Sequence, residues 1–222
     1  MASLTVENYV KTIYLISARE SGGPAATGQI AAALGVSPGT VTAMLKTLGE
    51  GELATYTPYE GAKLTRSGNR LALRMLRRHR LIELFLSRTL DLTWDQVHEE
   101  AEHIEHAVSD LLVDRMDEFL GRPSADPHGD PIPRADGSFD APESRSLVEC
   151  EVGSRFRLAR VMDQSPEFLR YLADNGLPLG AEGLVVANHA EAGIVTVEID
   201  GASSTLGRNA AGKLRVTDLG IP

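Results

Sequence analysis

Residues 27–48 decide the fold: Thr27-Gly28-Gln29-Ile30-Ala31-Ala32-Ala33-Leu34-Gly35, then Val36, then Ser37-Pro38-Gly39-Thr40-Val41 running on through Met44 and Leu45 to Leu48. Thr27 is placed as a helix N-cap, Ile30 and Leu34 stand four apart on one face, and Gly35 can end the helix in a left-handed conformation. Ser37 and Pro38 restart a helix at once, since serine accepts orphan amides and proline loses nothing at the first helical position. Val41, Met44, Leu45 and Leu48 form its buried stripe. Two short helices around a glycine turn predict a helix-turn-helix.

The flanks agree. Residues 4–20 carry Tyr9, Val10, Ile13 and Ile16 at helical spacing and stop at Gly22-Gly23-Pro24. Downstream, residues 53–65 give two short strand-like runs about Pro58-Tyr59-Glu60-Gly61, a wing. Three helices and a hairpin in this order predict a winged helix-turn-helix, against the alternative of a generic helical bundle. In such a domain the second paired helix enters the major groove. Its start offers Ser37, Pro38, Gly39, Thr40 and Thr42, with Lys46 the only charge, while Thr27, Lys63 and Arg66 flank it. Small groups read thymine methyls and groove shape, and the basic residues hold phosphates. Modest specificity per half-site favours a homodimer on a palindrome in double-stranded DNA.

The net charge of −9 argues against a polyanion partner only if it is evenly spread. Residues 1–80 hold ten Lys/Arg and five acids, residues 81–120 two bases and eleven acids, and the remainder ten and fifteen. A basic front joined to an acidic middle points to a polyanion for one and a cation for the other. The one cysteine, Cys150, permits no internal disulfide and fits a reducing compartment. No apolar run approaches a membrane span and no signal segment leads the chain, so a cytoplasmic location is expected.

The acidic middle centres on residues 97–106, where Val97, Ala101, Ile104 and Val108 keep a helical rhythm. His98, Glu102, Glu105 and His106 fall at i, i+4, i+7 and i+8, inside one arc of a continuous helix. Carboxylates packed that closely repel unless a cation sits among them, so a divalent metal site and a solvated acidic face are the two readings. This helix is expected from a Thr93 cap to about Leu120, with Val97, Ala101, Ile104, Val108, Leu111 and Leu112 as the dimer seam. Before it, Thr65-Arg66-Ser67-Gly68-Asn69 opens a long helix on which His79 and Glu83 stand one turn apart, a spacing that taken alone is more often a surface contact than a ligand pair. Five prolines between residues 121 and 147 mark an ordered turn and then a linker. Strand-like runs at 156–162, 183–187, 193–199 and 213–216, with one helix at 166–174, predict a small β-barrel.

This set, the winged helix, His79 and Glu83, His98 through His106, the turn Pro127-His128-Gly129-Asp130-Pro131-Ile132-Pro133 and a terminal barrel, resembles the diphtheria toxin repressor family, including its manganese-transport branch. The resemblance covers essentially the whole chain. It implies an α+β chain: a winged helix-turn-helix over 1–72, a helical metal-binding and dimerisation domain over 73–140, a linker over 141–150, and an SH3-like, FeoA-type barrel over 151–222 on a flexible tether. It implies two ions per subunit. One would be held by His79, Glu83 and His98, completed by Asp163 and Gln164, and the other by Asn8, Glu102, Glu105 and His106. The iron-sensing branch carries cysteine where Glu102 stands and methionine where Asn8 stands. The manganese branch carries aspartate at the Asn8 position and glutamate at that of Lys11. Oxygen ligands in place of sulfur favour Mn²⁺, with Fe²⁺ the alternative, and Lys11 is expected to exclude an additional bridging ion. His103, His128 and His189 are read as structural or solvated.

The resemblance implies a metal-dependent regulator that represses metal-uptake genes when loaded, not an enzyme. A metal-dependent hydrolase would need a nucleophile and base beside the cluster, and no His-Glu-x-x-His motif is present. A winged-helix regulator sensing an organic ligand is the other rival.

Overall fold

The computed structural model describes residues 3–20, 22–140 and 142–220, which form two compact units. The first comprises residues 1–79, 105–108 and 133–138. In it, α1 (Leu4–Arg19) starts where the Ser3 hydroxyl accepts the Val6 amide. The pair α2 (Thr27–Leu34) and α3 (Pro38–Glu50) follows the expected punctuation, with Gly35 at φ 64° and Ser37 accepting the Thr40 amide at 3.1 Å. Thr27 is the first helical residue rather than the cap. Ala26 takes the cap position, and the Gln29 side chain accepts its amide instead. The wing is an antiparallel pair, β1 (Ala54–Thr57) with β2 (Gly61–Leu64). Its root has no room for a side chain, since a Cβ on Gly61 would lie 2.5 Å from the Ala25 carbonyl oxygen. Val10, Ile13, Ile30, Val41 and Leu45 make a core with no exposed surface, which holds the three helices against the wing.

Helix α4 (Arg66–Leu90) begins in the first unit and continues into the second, which holds residues 80–104, 109–132 and 139–222. The single helix expected from Thr93 to Leu120 is instead two, α5 (Val97–Ile104) and α6 (Asp110–Phe119). Ser109 accepts the Leu112 amide and nucleates α6 afresh, so residues 105–107 form a turn. The expected seam divides too. Val97 and Ala101 are wholly buried within the chain and Val108 is half-buried, whereas Ile104, Leu111 and Leu112 face solvent.

The terminal sheet has strand order β3-β8-β4-β5-β6-β7, every pair antiparallel. Its strands are β3 (Arg145–Ser146), β4 (Arg155–Val161), β5 (Glu182–His189), β6 (Ile194–Ile199), β7 (Ala202–Gly207) and β8 (Leu214–Asp218). Helices α7 (Pro166–Asp174) and α8 (Arg208–Gly212) complete it. Leu147 and Cys150, in the stretch read as a linker, lie in this core. The barrel is docked within its unit rather than loosely tethered. The Val161 amide donates to the His128 carbonyl at 2.9 Å, Arg170 pairs with Asp95 at 3.0 Å, and Trp94 packs on the barrel core. Gly129, at φ +84°, makes the approach possible, because a Cβ there would lie 2.0 Å from the Ala159 carbonyl oxygen. Among the described residues no helix is long and apolar enough to cross a membrane.

Candidate metal centre

In the first unit, the break after α5 places Glu105 and His106 on a turn, where they meet side chains of α1 and α4. Glu105 is completely buried. Lys11 on α1 donates to both its oxygens, at 2.8 and 2.9 Å, and His79 Nδ1 lies 2.6 Å from Oε2. Lys11 Nζ is also 3.3 Å from His79 Nδ1. Burial alone would raise the Glu105 carboxyl, but the His79 hydrogen bond and the Lys11 charge outweigh it and hold the group below its ordinary value. His106 Nδ1 is paired at 2.7 Å with Glu7, an α1 residue that the sequence reading passed over. His106 Nε2 lies 3.4 Å from Glu105 Oε1.

Among the solvent-sealed side-chain atoms of this unit without a hydrogen-bond partner are Asn8 Oδ1 and His106 Nε2. Unsatisfied buried acceptors are costly, about 1–3 kcal/mol each, unless something absent from the chain binds them. His106 Nε2 beside the ionised Glu105 carboxylate, with the Asn8 oxygen carried on α1, supplies donor types that suit a divalent cation.

In the second unit, Glu83 Oε1 lies 3.0 Å from His98 Nδ1. Glu102 is half-buried on α5. The arc expected of one continuous helix is therefore divided: His98 turns to Glu83, and Glu105 and His106 lie on the turn. Asp163 is bonded to Lys213 at 2.7 Å and to the Ser165 amide at 3.0 Å, and Gln164 donates to Asp130 at 3.0 Å. His128, read as structural or solvated, is fully buried and stacks on Trp94. His103 is exposed, as is His189.

The DNA-facing candidates fall on one part of the first unit. Ser37, Pro38, Gly39, Thr40, Lys46, Lys63 and Arg66 are exposed, and Thr27 and Thr42 are partly so. Thr27, Thr42 and Lys46 line a groove between the paired helices and the wing, together with Tyr56 and Tyr59.

Three family models account for most of the chain: the iron dependent repressor N-terminal DNA binding domain over residues 1–62, its metal binding and dimerisation domain over 65–134, and the FeoA domain over 145–218. The chain belongs to the iron-dependent repressor family, the family of the diphtheria toxin repressor. Within it, the chain is similar to the HTH-type transcriptional regulator MntR of Geobacillus kaustophilus, 33% identical over 54% of this chain and 83% of that one. It is 34% identical to the diphtheria toxin repressor of Corynebacterium jeikeium over 60% of this chain, spanning about half (54%) of that protein. A solved manganese-dependent transcriptional repressor in complex with manganese matches 96% of this chain and all of its own, at 42% identity and a TM-score of 0.88.

Proposed function

We propose that this protein is a manganese-dependent transcriptional repressor that binds a palindromic operator as a homodimer and controls metal-uptake genes. The observation that supports the reading is that Asn8 Oδ1 and His106 Nε2 are each sealed from solvent without a hydrogen-bond partner, the latter 3.4 Å from the Glu105 carboxylate, since an ion bound by them would join α1 of the DNA-binding domain to the turn after α5. Asn8, Glu102, Glu105 and His106 would hold one ion. His79, Glu83 and His98, with Asp163 and Gln164 nearby in sequence to the barrel's edge, would hold the second. When bound, manganese supplies positive charge and directional coordination by oxygen and nitrogen donors. Asn8 then ties α1 to Glu105 and His106, and this restricts the positions from which α3 can reach a half-site. The operator selects the restricted arrangement, so affinity rises by the preference for it.

The absence of a sulfur ligand among these residues favours manganese over softer ions. Iron is the second reading, supported by the family's description. Fluorescence anisotropy of a labelled palindromic duplex, titrated at fixed salt with Mn²⁺, Fe²⁺, Zn²⁺ or chelator, tests both. Mn²⁺ is expected to tighten binding by about 100-fold or more, on the order of 3 kcal/mol of coupling. Glu105→Ala is expected to abolish the response while the protein stays a folded dimer. An undiminished response in that variant overturns the assignment.

A further inference from the structure

Glu7 has no place in the ligand set proposed above, yet its side chain is bonded to one of those ligands. It stands in the first turn of α1, its amide donating to the Ser3 carbonyl at 3.0 Å. An acid there is ordinarily accounted for by the positive end of the helix dipole. A carboxylate serving only that dipole has no need to leave water. The Glu7 and His106 side chains are instead 13% and 11% exposed, and Glu7 Oε2 lies 2.7 Å from His106 Nδ1.

This contact fixes what the ring offers on its other side. A carboxylate only accepts, so Nδ1 carries the proton and donates it to Glu7, and in the neutral ring Nε2 is left with a lone pair. Nε2 is sealed from solvent without a hydrogen-bond partner, 3.4 Å from Glu105 Oε1. That oxygen is itself an acceptor, bonded to Lys11 Nζ at 2.8 Å. Two electron-rich atoms therefore face each other with no proton between them, and turning the imidazole over would break its bond to Glu7. Histidines that ligate a metal commonly donate their other ring N–H to a carboxylate, which sets the tautomer and raises the basicity of the ligating nitrogen. Asn8, whose Oδ1 is likewise sealed and unpartnered, follows Glu7 directly on α1.

We infer that Glu7 is a positioning residue: it holds His106 in the Nδ1–H tautomer with Nε2 directed at Glu105, and so sets how tightly the centre takes its ion without touching the ion. This rests on the proposed function for the identity of the ion and deepens it, because the DNA-binding domain then contributes the group that prepares His106. The same helix carries Val10 and Ile13, which lie in one core with Ile30, Val41 and Leu45 of the paired helices. Ring orientation at the centre and the placement of the DNA-binding helices are thus joined through one hydrogen bond.

The test uses the full-length protein and two readouts that need no DNA. Long-range proton–nitrogen spectra of nitrogen-labelled histidine in metal-free wild type, above neutral pH, report the His106 tautomer. A protonated Nδ1 with a bare Nε2 is expected, and a proton on Nε2 overturns the inference. Mn²⁺ binding is then followed through the paramagnetic resonance of the free ion for wild type, Glu7→Gln and Glu7→Leu. Leucine removes the acceptor, whereas glutamine keeps a carbonyl oxygen without the charge. Glu7→Leu is expected to weaken one class of site by about 10–100-fold, with Glu7→Gln between it and wild type and the other sites unmoved. A residue serving only the helix dipole would lower the melting temperature of both variants and leave their isotherms on that of wild type, which refutes the assignment. Should Glu7→Leu not fold, the wild-type spectrum and Glu7→Gln decide. Failure of the proposed function is separately visible: wild type that binds Mn²⁺ but shows no metal-dependent DNA affinity sinks the repressor reading and leaves the role of Glu7 standing.

Discussion

Glu105 and Asp126 are both buried carboxylates, and their surroundings treat them in opposite ways. Glu105 has Lys11 and His79 on its oxygens and is held below its ordinary value. Asp126 is pushed well above its own, first by burial, then by the charges of Glu83 and Asp130, with Arg80 opposing. Depth does not set the ionisation of a buried acid by itself. A cation bonded directly to the carboxylate does, and only Glu105 has one built into the chain.

Removing that cation makes the first carboxylate resemble the second. Lys11→Met should destabilise the metal-free protein by about 3–5 kcal/mol, the usual result of stripping one partner from a buried ion pair. Saturating Mn²⁺ should restore most of the loss. Urea denaturation with Mn²⁺ and with chelator checks both halves, and a loss that metal leaves untouched would break the comparison.

The turn that carries Asp126 gives the next largest effect. Gly129→Ala places a methyl against the Ala159 carbonyl oxygen at a φ that L-residues avoid, and should cost about 2–4 kcal/mol. Thermal unfolding would measure it. If the loss is small, the barrel is less closely docked on the turn than the Val161–His128 hydrogen bond requires.

The smallest effect comes from a pair of the same chemistry left in water. Asp95 is held below its ordinary value of 3.8, first by the Thr93 hydroxyl, against burial, and then by Arg170. A lowered carboxyl stabilises the fold fully above its unfolded value and loses that contribution as pH falls through the lower folded one. Arg170→Ala should therefore cost under about 1 kcal/mol near neutrality, since its side chain is 60% exposed. The difference in melting temperature from wild type should close as pH drops below Asp95's ordinary value.

The parts of this architecture that were legible in the sequence are those specified locally. Gly35, Ser37 and Pro38 mark their helix ends by their own backbone preferences, and Pro166 starts α7 for the same reason. The break at residues 105–107 was harder to see because the apolar rhythm of Val97, Ala101, Ile104 and Val108 runs through it. Ser109 was the available signal. Strand β7 escaped because Ala202, Ser203 and Ser204 carry no strand pattern, and pairing with β6 supplies what propensity does not. For the candidate centre, the gathering of His79, Glu83, His98, Glu105 and His106 was expected from the resemblance, whereas the direct bond of Lys11 to Glu105 was not. The burial of Asp126 and His128 could not be read from the sequence, because it depends on α4 and the barrel meeting a turn that looks solvated in isolation.

The lysine on α1 has a kinetic consequence. With Lys11 and His79 on its oxygens, the Glu105 carboxylate is already paired within the chain, so folding of this region is expected not to wait for metal. An ion at the proposed centre would then compete with a tethered side chain instead of organising a disordered one. The delay between a rise in metal and a change in DNA occupancy should be set by a lysine swinging aside, a matter of side-chain rotation rather than refolding.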